Sequence, residues 1–372
     1  SYAGKSVRDN KDLPSSVVVG EWRHYLHAVF GQDYSITHSL QPFSKRYFKG
    51  GRLQSFSTMW HEAISSKKST SNFLETPLER EESLKCTNAE QISKFLSHPG
   101  KYFLQQRLGV YLDVDETALK DVESFELDSL ERFQLANAAL SALISGQNLE
   151  KFKTQVSLSG AILSGSIGQQ HLERELVKAK IIHAKASDYL NHPKAFIKTN
   201  IEIDGTALLV ELNNLFGDNL VNYRAGRLNA RSQLDAWVKH LGANLARPNT
   251  TTILISLGNS ENAKISRLKP LEQMTAEAIL SNLLNLYNDG IANPLFLPPE
   301  ASLAFTKGKL GGLSIEQAIL KARQSWERDQ PYSEGKDRYW ARLFQLPNAF
   351  NDRFITDATS IWQPLIEFLE HE

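Results

Sequence analysis

The stretch AFIKTNIEIDGTALLVELNNLFGDNLVNYR, residues 195–224, predicts the centre of a β-sheet. Its first nine residues alternate between apolar and polar types with the two-residue period of a strand. Asp204-Gly205 is a strong signal for a two-residue hairpin turn. A second turn at 217–219 then leads into a third short strand. The sequence therefore predicts a hairpin followed by one more strand.

Helical patterns surround these strands. Residues 168–190 resemble one long helix before the first strand, and a helix is expected over 230–246, followed by a buried strand at 251–257. The apolar face of the second helix consists of Leu234, Trp237, Val238, Leu241 and Leu245. Further helices are expected near 272–289, 314–327 and 353–370. The fold class is therefore α/β, a small mixed sheet flanked by helices, with an N-terminal helical and loop appendage.

The order helix, three strands, helix, strand resembles the core of the PD-(D/E)XK nucleases, the restriction-endonuclease-like fold. The resemblance implies metal-binding acids on the second and third strands and a lysine two residues after the third-strand acid. Here those positions are degenerate and hold Asn213, Asn214, Asn222 and Arg224. Amide oxygens carry no formal charge and suit Mg²⁺ poorly, and arginine is too basic to exchange protons. We expect no catalytic residue, no metal and no cofactor.

One acid near this region is explained by pairing within the hairpin. A two-residue turn pairs Ile203 with Thr206, which sets Lys198 opposite Glu211. We interpret these two charges as a cross-strand salt bridge.

Two pairs of residues, each with at least one histidine, could bind a metal or could have a purely structural role. His171 and Glu173 lie on the helix before the sheet, where active nucleases have comparable groups, but without strand acids they suit a helix surface. His24 and His27 have helical spacing for chelation, yet no third ligand is evident. We interpret both pairs as structural.

Composition excludes several classes of protein. The 372 residues are 41% hydrophobic and 23% charged, and no apolar run approaches the length of about 18 residues that a membrane span needs. Lys+Arg and Asp+Glu both number 42, which excludes a uniformly basic surface. The single cysteine, Cys86, excludes an internal disulfide and fits a reducing cytoplasm. The phosphate-loop, dinucleotide-loop, HExxH and GxSxG motifs are missing from the sequence.

The N-terminal part has a different character. Val18, Trp22, Tyr25 and Val29 have helical spacing and predict a docking helix. Residues 41–68 are then basic and aromatic. The candidates for binding DNA or a partner are Lys45, Arg46, Tyr47, Phe48, Lys49, Arg52 and Trp60. They suit phosphate contact with base stacking, contact with a partner subunit, or a local aromatic core with a solvated basic rim.

We divide the chain into residues 1–64, a linker at 65–86 rich in Ser, Thr, Lys and Glu, and a main domain at 87–372. Residues 113–131 are strongly acidic. Thr87 and Glu90 predict a capping box that starts a helix, which should stop near His98 because Pro99 follows.

Four motifs together resemble the C-terminal part of the RecC family, the gamma chains of exodeoxyribonuclease V. They are YAGKSVRDNKDLPSSVVVGEWRHYL (2–26), HSLQPFSKRYF (38–48), FLSHPGKYFLQQRLGVYL (95–112) and FELDSLERFQLANAAL (125–140). The chain departs from the family pattern at Ser39 and Lys45, where proline is expected. The opening residues resemble the continuation of a longer protein, so we expect residues 1–64 to end a helicase-like region.

The resemblance implies a helicase-like protein without ATPase function, followed by a nuclease-like domain without its metal site. It implies a place in the RecBCD complex, with RecB, RecD and a DNA end or fork as partners, and no membrane. We therefore expect a non-catalytic, structural and DNA-guiding part of an ATP-dependent exodeoxyribonuclease. An active metal-dependent nuclease and a subunit-docking module that never touches DNA are the alternatives.

Overall fold

The computed structural model describes residues 2, 4–6, 11–65, 73–74, 76–79, 86–112, 127–259, 262–330, 333–344 and 349–371. The chain consists of two compact units, residues 1–71 and residues 72–372. Most of the predicted linker and the larger part of the acidic segment lie outside the described residues.

The first unit is built from short helices. Helix α1 spans Val17–Phe30, begins at the N-cap Ser16 and ends at Gly31 in the left-handed conformation. A 3₁₀ turn covers Lys45–Phe48, and helix α2 covers Thr58–Ser65. These three elements contain no buried residue. The predicted helix is therefore confirmed, and its apolar side chains are exposed.

The second unit contains a mixed sheet. Its strands in the described residues are β1 Cys86–Asn88, β2 Lys194–Ile203, β3 Thr206–Phe216, β4 Asn219–Tyr223, β5 Thr251–Leu257, β6 Ala263–Leu268 and β7 Leu369–His371. Strand β3 pairs with β2, β1 and β4, and the sheet continues through β5 and β6 to β7. The β1–β3 and β4–β5 pairs are parallel and the other pairs are antiparallel.

Helices surround this sheet. They are α3 Ala89–Ser97, α4 Pro99–Tyr102, α5 Ser129–Ile144, α6 Leu149–Leu158, α7 Ser166–Ser187, α8 Ala230–Ala246, α9 Gln273–Ala292, α10 Pro299–Leu310, α11 Ile315–Trp326, α12 Arg338–Leu343 and α13 Asp352–Phe368. A π-helical turn, Phe103–Arg107, follows α4 directly. The predicted order of helix, three strands, helix and strand is confirmed as α7, β2, β3, β4, α8 and β5.

Two apolar cores lie on opposite faces of the sheet. Successive strand residues point to opposite faces, and in β5 Leu254 belongs to one core while Ile253 and Ile255 belong to the other. The core with Leu254 includes side chains from α3, α8, α9, α10, α11 and α13. The opposite core includes side chains from α5, α6 and α7. The second unit is therefore a three-layer arrangement with helices on both faces.

The predicted hairpin is confirmed in its register. Ile203 pairs with Thr206 and Lys198 pairs with Glu211, whose charged groups lie 2.5 Å apart. Asp204 and Gly205 have φ values of 49° and 74°. A two-residue turn with positive φ at both positions matches the twist of the flanking strands.

The predicted capping box is wrong by one residue. The Oδ1 atom of Asn88 accepts a hydrogen bond from the Gln91 amide at 2.7 Å, and the Gln91 side chain accepts from the Asn88 amide at 3.2 Å. Thr87 instead donates its hydroxyl to the Gln91 side chain, and Glu90 pairs with Lys94. Asparagine caps at least as well as threonine, so the helix begins one residue later. It ends at Ser97, as expected from the following proline.

Candidate functional site

A cleft of about 450 Å³ lies beside β4, and we call it the β4 cleft. Strand β4 and the loop after it form one side, the start of α8 forms another, and β5 and α5 complete the lining. Two of the degenerate positions named from the sequence, Asn222 and Arg224, line this cleft.

Arg224 follows the last residue of β4. Its backbone amide donates to the carbonyl of Ile255 at 3.0 Å, which extends the pairing with β5. Its guanidinium lies over the ring of Phe133, 4.9 Å from the ring centroid. Burial lowers the pKa of Arg224 from its ordinary value. The Nε atom is buried and has no hydrogen-bond partner within the described residues.

Asn222 lies two residues earlier, opposite Leu254 of β5 in the parallel register. Its Nδ2 atom is also buried without a hydrogen-bond partner in the described part of the chain. Most buried donors in folded proteins are satisfied, so two unsatisfied donors in one cleft require an explanation.

Phe133 is held in place by its own helix and by the loop after β4. The Asn137 side chain donates to the carbonyl of Phe133 at 2.8 Å and accepts from the amide of Ala225 at 3.0 Å. A Cβ atom at Gly226 would lie 2.7 Å from the Phe133 ring. Glycine at this position therefore permits the ring to pack closely enough to support Arg224.

The lining of the cleft contains more positive than negative side chains. Arg231, at the start of α8, is exposed and lines the cleft together with Arg224. The acid in the lining, Asp235, accepts a hydrogen bond from Ser93 at 2.7 Å and pairs with Lys239 at 2.7 Å. Because this carboxylate already has two partners, the arginines give the cleft an excess of hydrogen-bond donors.

Asn213 and Asn214 lie elsewhere. Ala195 pairs with Leu215 and Ile197 with Leu212, so both asparagines face the single residue Phe196 in a β-bulge. Strands β3 and β4 pair only through residues 215–216 and 219–220. The structure thus brings Asn222 and Arg224 together in the cleft, and Asn213 and Asn214 are not part of its lining.

The two possible metal-binding pairs named from the sequence have different surroundings. Glu173 is exposed and binds Lys153, with 2.6 Å between the charged atoms, while His171 is half-buried. His24 and His27 are exposed on α1. Among the described residues, no group of three His, Cys, Asp or Glu side chains has the geometry of a metal site.

A second candidate region lies in the first unit, and we call it the basic-aromatic surface. Its members are Lys45, Arg46, Tyr47, Phe48, Lys49, Arg52 and Trp60. The four cations are exposed and have no ion pair within the described residues, whereas the three aromatic side chains are half-buried. Trp60 packs against Phe43 with 5.2 Å between ring centroids. Tyr47 and Phe48 line a cleft of about 310 Å³ beside α2.

Phe133 and Arg231 are among the residues of the β4 cleft that were not singled out from the sequence. Arg231 follows the N-cap Asn229 by two residues. A sequence prediction that places the start of α8 correctly therefore also places Arg231 in its first turn. Phe133 is distant in sequence from β4, and no local pattern connects them. Only the tertiary structure brings its ring under Arg224.

The second unit therefore has an α/β fold, with a mixed sheet and helices on both faces. A cleft rich in hydrogen-bond donors lies beside β4. A family model for the RecC C-terminal domain matches residues 86–309. The chain belongs to this family, which confirms the resemblance found in the sequence.

Individual relatives agree with this assignment. The RecBCD enzyme subunit RecC of Escherichia coli (strain K12) is 24% identical, over 99% of this chain and 35% of the relative. The subunit of the same name from Haemophilus influenzae is 22% identical, over 94% of this chain and 32% of the relative. The chain thus spans about a third of the length of these relatives. In the described part of the chain, no helix combines the length and the apolar character needed to cross a membrane.

Proposed function

We propose that this chain is a non-catalytic, structural and DNA-guiding part of the RecBCD helicase-nuclease, exodeoxyribonuclease V. Its role is in double-strand break repair and homologous recombination in the cytoplasm, where it docks RecB and RecD and helps to handle the split DNA end. The name shared by its relatives, RecBCD enzyme subunit RecC, supports this assignment.

The observation that carries the non-catalytic part is the identity and placement of Arg224. In a restriction-endonuclease-like core, the matching position holds a lysine beside bound metal. Here a guanidinium lies on Phe133 next to the amide of Asn222. Arginine stays protonated and cannot take a proton from water, and the neutral amide of Asn222 suits a divalent cation poorly. We therefore infer a nuclease-like core that has lost its catalytic residues and serves as a scaffold.

The docking part of the proposal is supported by α1. Trp22 and Tyr25 are each 66% exposed, and Val18 is 70% exposed. Exposed apolar side chains that lie together on one helix commonly mark an interaction surface. In the proposed complex, a partner subunit or another part of the complete protein covers this helix.

DNA guidance is supported by the basic-aromatic surface. Exposed cations beside aromatic rings suit the backbone and the bases of a single strand. Lys45, Arg46 and Lys49 lie within or directly after one 3₁₀ turn, so their charges are close together in sequence and in space.

The non-catalytic assignment is tested by titrating the purified chain with Mg²⁺ and Mn²⁺ in a calorimeter and assaying it on linear DNA. We expect neither saturable metal binding nor cleavage. Metal binding with cleavage that disappears in H171A or E173A would identify an active nuclease instead.

DNA guidance is tested in the assembled complex with the triple variant K45A/R46A/K49A. Each lost phosphate contact should reduce the slope of log affinity against log salt by about 0.7 to 0.9. The matched control is K151A/R174A/K180A, which removes three exposed cations from helices α6 and α7. Equal slopes for both variants, with no crosslinking of this surface to a DNA fork, would favour a docking module that does not touch DNA.

A further inference from the structure

We propose that the β4 cleft binds a backbone phosphate of single-stranded DNA, held by Arg224, Arg231 and Asn222. This inference rests on the proposed DNA-guiding function and assigns it a second, separate site within the C-terminal unit. In the nuclease-like core proposed above, this cleft would take the place of the nuclease site, and its residues suit the retention of a strand without cleavage.

Unused donors provide the first argument. The Nε atom of Arg224 and the Nδ2 atom of Asn222 are buried, and neither has an acceptor within the described residues. Both residues line the same cleft. A phosphate has oxygen acceptors on several sides. A single phosphate can therefore accept hydrogen bonds from both donors, which lie two residues apart in the chain.

Charge provides the second argument. Two arginines line the cleft, and its acid, Asp235, is already bound by Ser93 and Lys239. A further acid nearby, Glu300, accepts from the backbone amide of Ala230 at 2.9 Å. Because the nearby carboxylates are engaged, an anionic ligand would meet mainly hydrogen-bond donors.

Size and shape favour a nucleotide over a small free ion. A volume of about 450 Å³ falls within the usual range of ligand pockets, and it can accommodate a phosphate with its sugar. Phe133 is half-buried and lines the cleft, with its ring beneath the Arg224 guanidinium. An aromatic ring beside a phosphate-binding arginine is typical of surfaces that bind single strands. The carboxylates of an acidic peptide are anionic acceptors like a phosphate. The test must therefore distinguish peptide binding from DNA binding.

The test uses the full chain and a fluorescein-labelled dT20 strand, with anisotropy measured between 50 and 200 mM salt. We expect R224Q and R231Q each to weaken binding by about fivefold or more and to reduce the salt slope by about 0.7. The matched control is R174Q, which removes an exposed arginine from α7 and should change neither quantity comparably. R224K retains the charge but loses Nε, so its affinity should fall between those of the unsubstituted chain and R224Q.

A second measurement does not depend on a variant. A strand carrying bromodeoxyuridine should crosslink to Phe133, whose ring lines the cleft beside Arg224, and mass spectrometry should identify the modified peptide. Circular dichroism and thermal melting establish that each variant is folded before its affinity is interpreted.

Several outcomes would overturn the inference. One is equal binding by R224Q, R231Q and R174Q with no crosslink at Phe133. Another is that the cleft variants lose binding to a poly-glutamate peptide while retaining DNA, which would identify a peptide site. If K45A/R46A/K49A loses DNA and the cleft variants do not, the DNA-guiding proposal stands and only the β4 cleft is excluded. No binding by the unsubstituted chain at 50 mM salt would contradict both proposals for the isolated chain.

Discussion

Helices α1 and α8 have the same kind of sequence pattern and opposite environments. Each has apolar residues at helical spacing and a tryptophan on that face. Trp22 in α1 is 66% exposed, whereas Trp237 in α8 is fully buried between the sheet and its covering helices. The comparison shows that periodicity identifies a helix and its apolar face, but it does not reveal what covers that face.

The difference has an energetic meaning. Burial of apolar surface contributes about 25 cal/mol per Å², so α8 is stabilised by its packing within the C-terminal unit. A helix of 14 residues is close to the length at which an isolated helix is marginal in water. We therefore expect α8 to stay helical for as long as the C-terminal unit is folded. We expect α1 to become fully stable only in the complete assembly.

The largest expected effect is at Trp237. Its replacement by alanine removes a fully buried indole and leaves a cavity, so W237A should lower the free energy of unfolding by about 3–5 kcal/mol. Urea denaturation followed by far-UV circular dichroism measures this change.

The control for this prediction is W237F. The indole Nε1 has no hydrogen-bond partner in the described part of the chain, so phenylalanine loses volume but no hydrogen bond. W237F should be clearly milder than W237A. If both variants lost a small and equal amount of unfolding free energy, the packing of Trp237 would not be a major source of stability in this unit.

A pH-dependent effect is expected at His240 on the same helix. The buried ring has Thr252 and the carbonyl of Lys269 as partners at 2.8 and 2.9 Å, and burial lowers its pKa to about 4. Between that value and the ordinary pKa of about 6.5, the unfolded chain binds a proton that the folded chain does not. The stability contributed by neutral His240 is therefore present above pH 6.5 and lost as the pH falls toward 4.

The measurement compares unfolding free energies of the unsubstituted chain and H240Q. Because glutamine does not titrate, the difference between the two should shrink by about 2 kcal/mol from pH 7 to pH 5. A difference that stays constant over this range would mean that His240 titrates alike in the folded and unfolded states.

The smallest expected effect is at Trp22. Substitution of an exposed residue usually changes the free energy of unfolding by no more than about 0.5 kcal/mol, so W22A should leave the isolated chain unaffected in denaturation. The same variant should weaken capture of the proposed partner subunits. A loss of several kcal/mol in the isolated chain would remove the contrast between the two helices.

Sequence patterns predicted the central part of the fold well. The hairpin register, helix α8 and strand β5 agree with expectation, because their periodicity is strong and their turn residues are specific. Helices α2, α6, α10 and α12 and strands β1, β6 and β7 were not expected. Helix α10 is buried on several sides, so it has no polar face to reveal a period. Strand β7 has three residues, which is too short for any pattern.

The candidate site was only partly predictable. Asn222 and Arg224 were found because the resemblance to the nuclease core assigned the metal-site pattern to the predicted third strand. The cleft beside them depends on Phe133, which is supplied by a helix about 90 residues earlier in the chain, and on the close approach at Gly226. Asn213 was expected at the same site, but the β-bulge displaces it, and a bulge depends on how two strands pair.

Three edge strands, β1, β2 and β7, limit how other chains can attach to the described sheet. Within the described residues, β2 pairs with β3 alone, and this edge strand carries Lys194 and Lys198. At the opposite end, β7 shields β6 and is itself only three residues long. Strand β1, which pairs with β3, also has three residues. Lysines and very short strands both discourage edge-to-edge strand addition and aggregation. Association through the sheet edges is thus disfavoured, which leaves helix surfaces and loops as the routes to specific assembly.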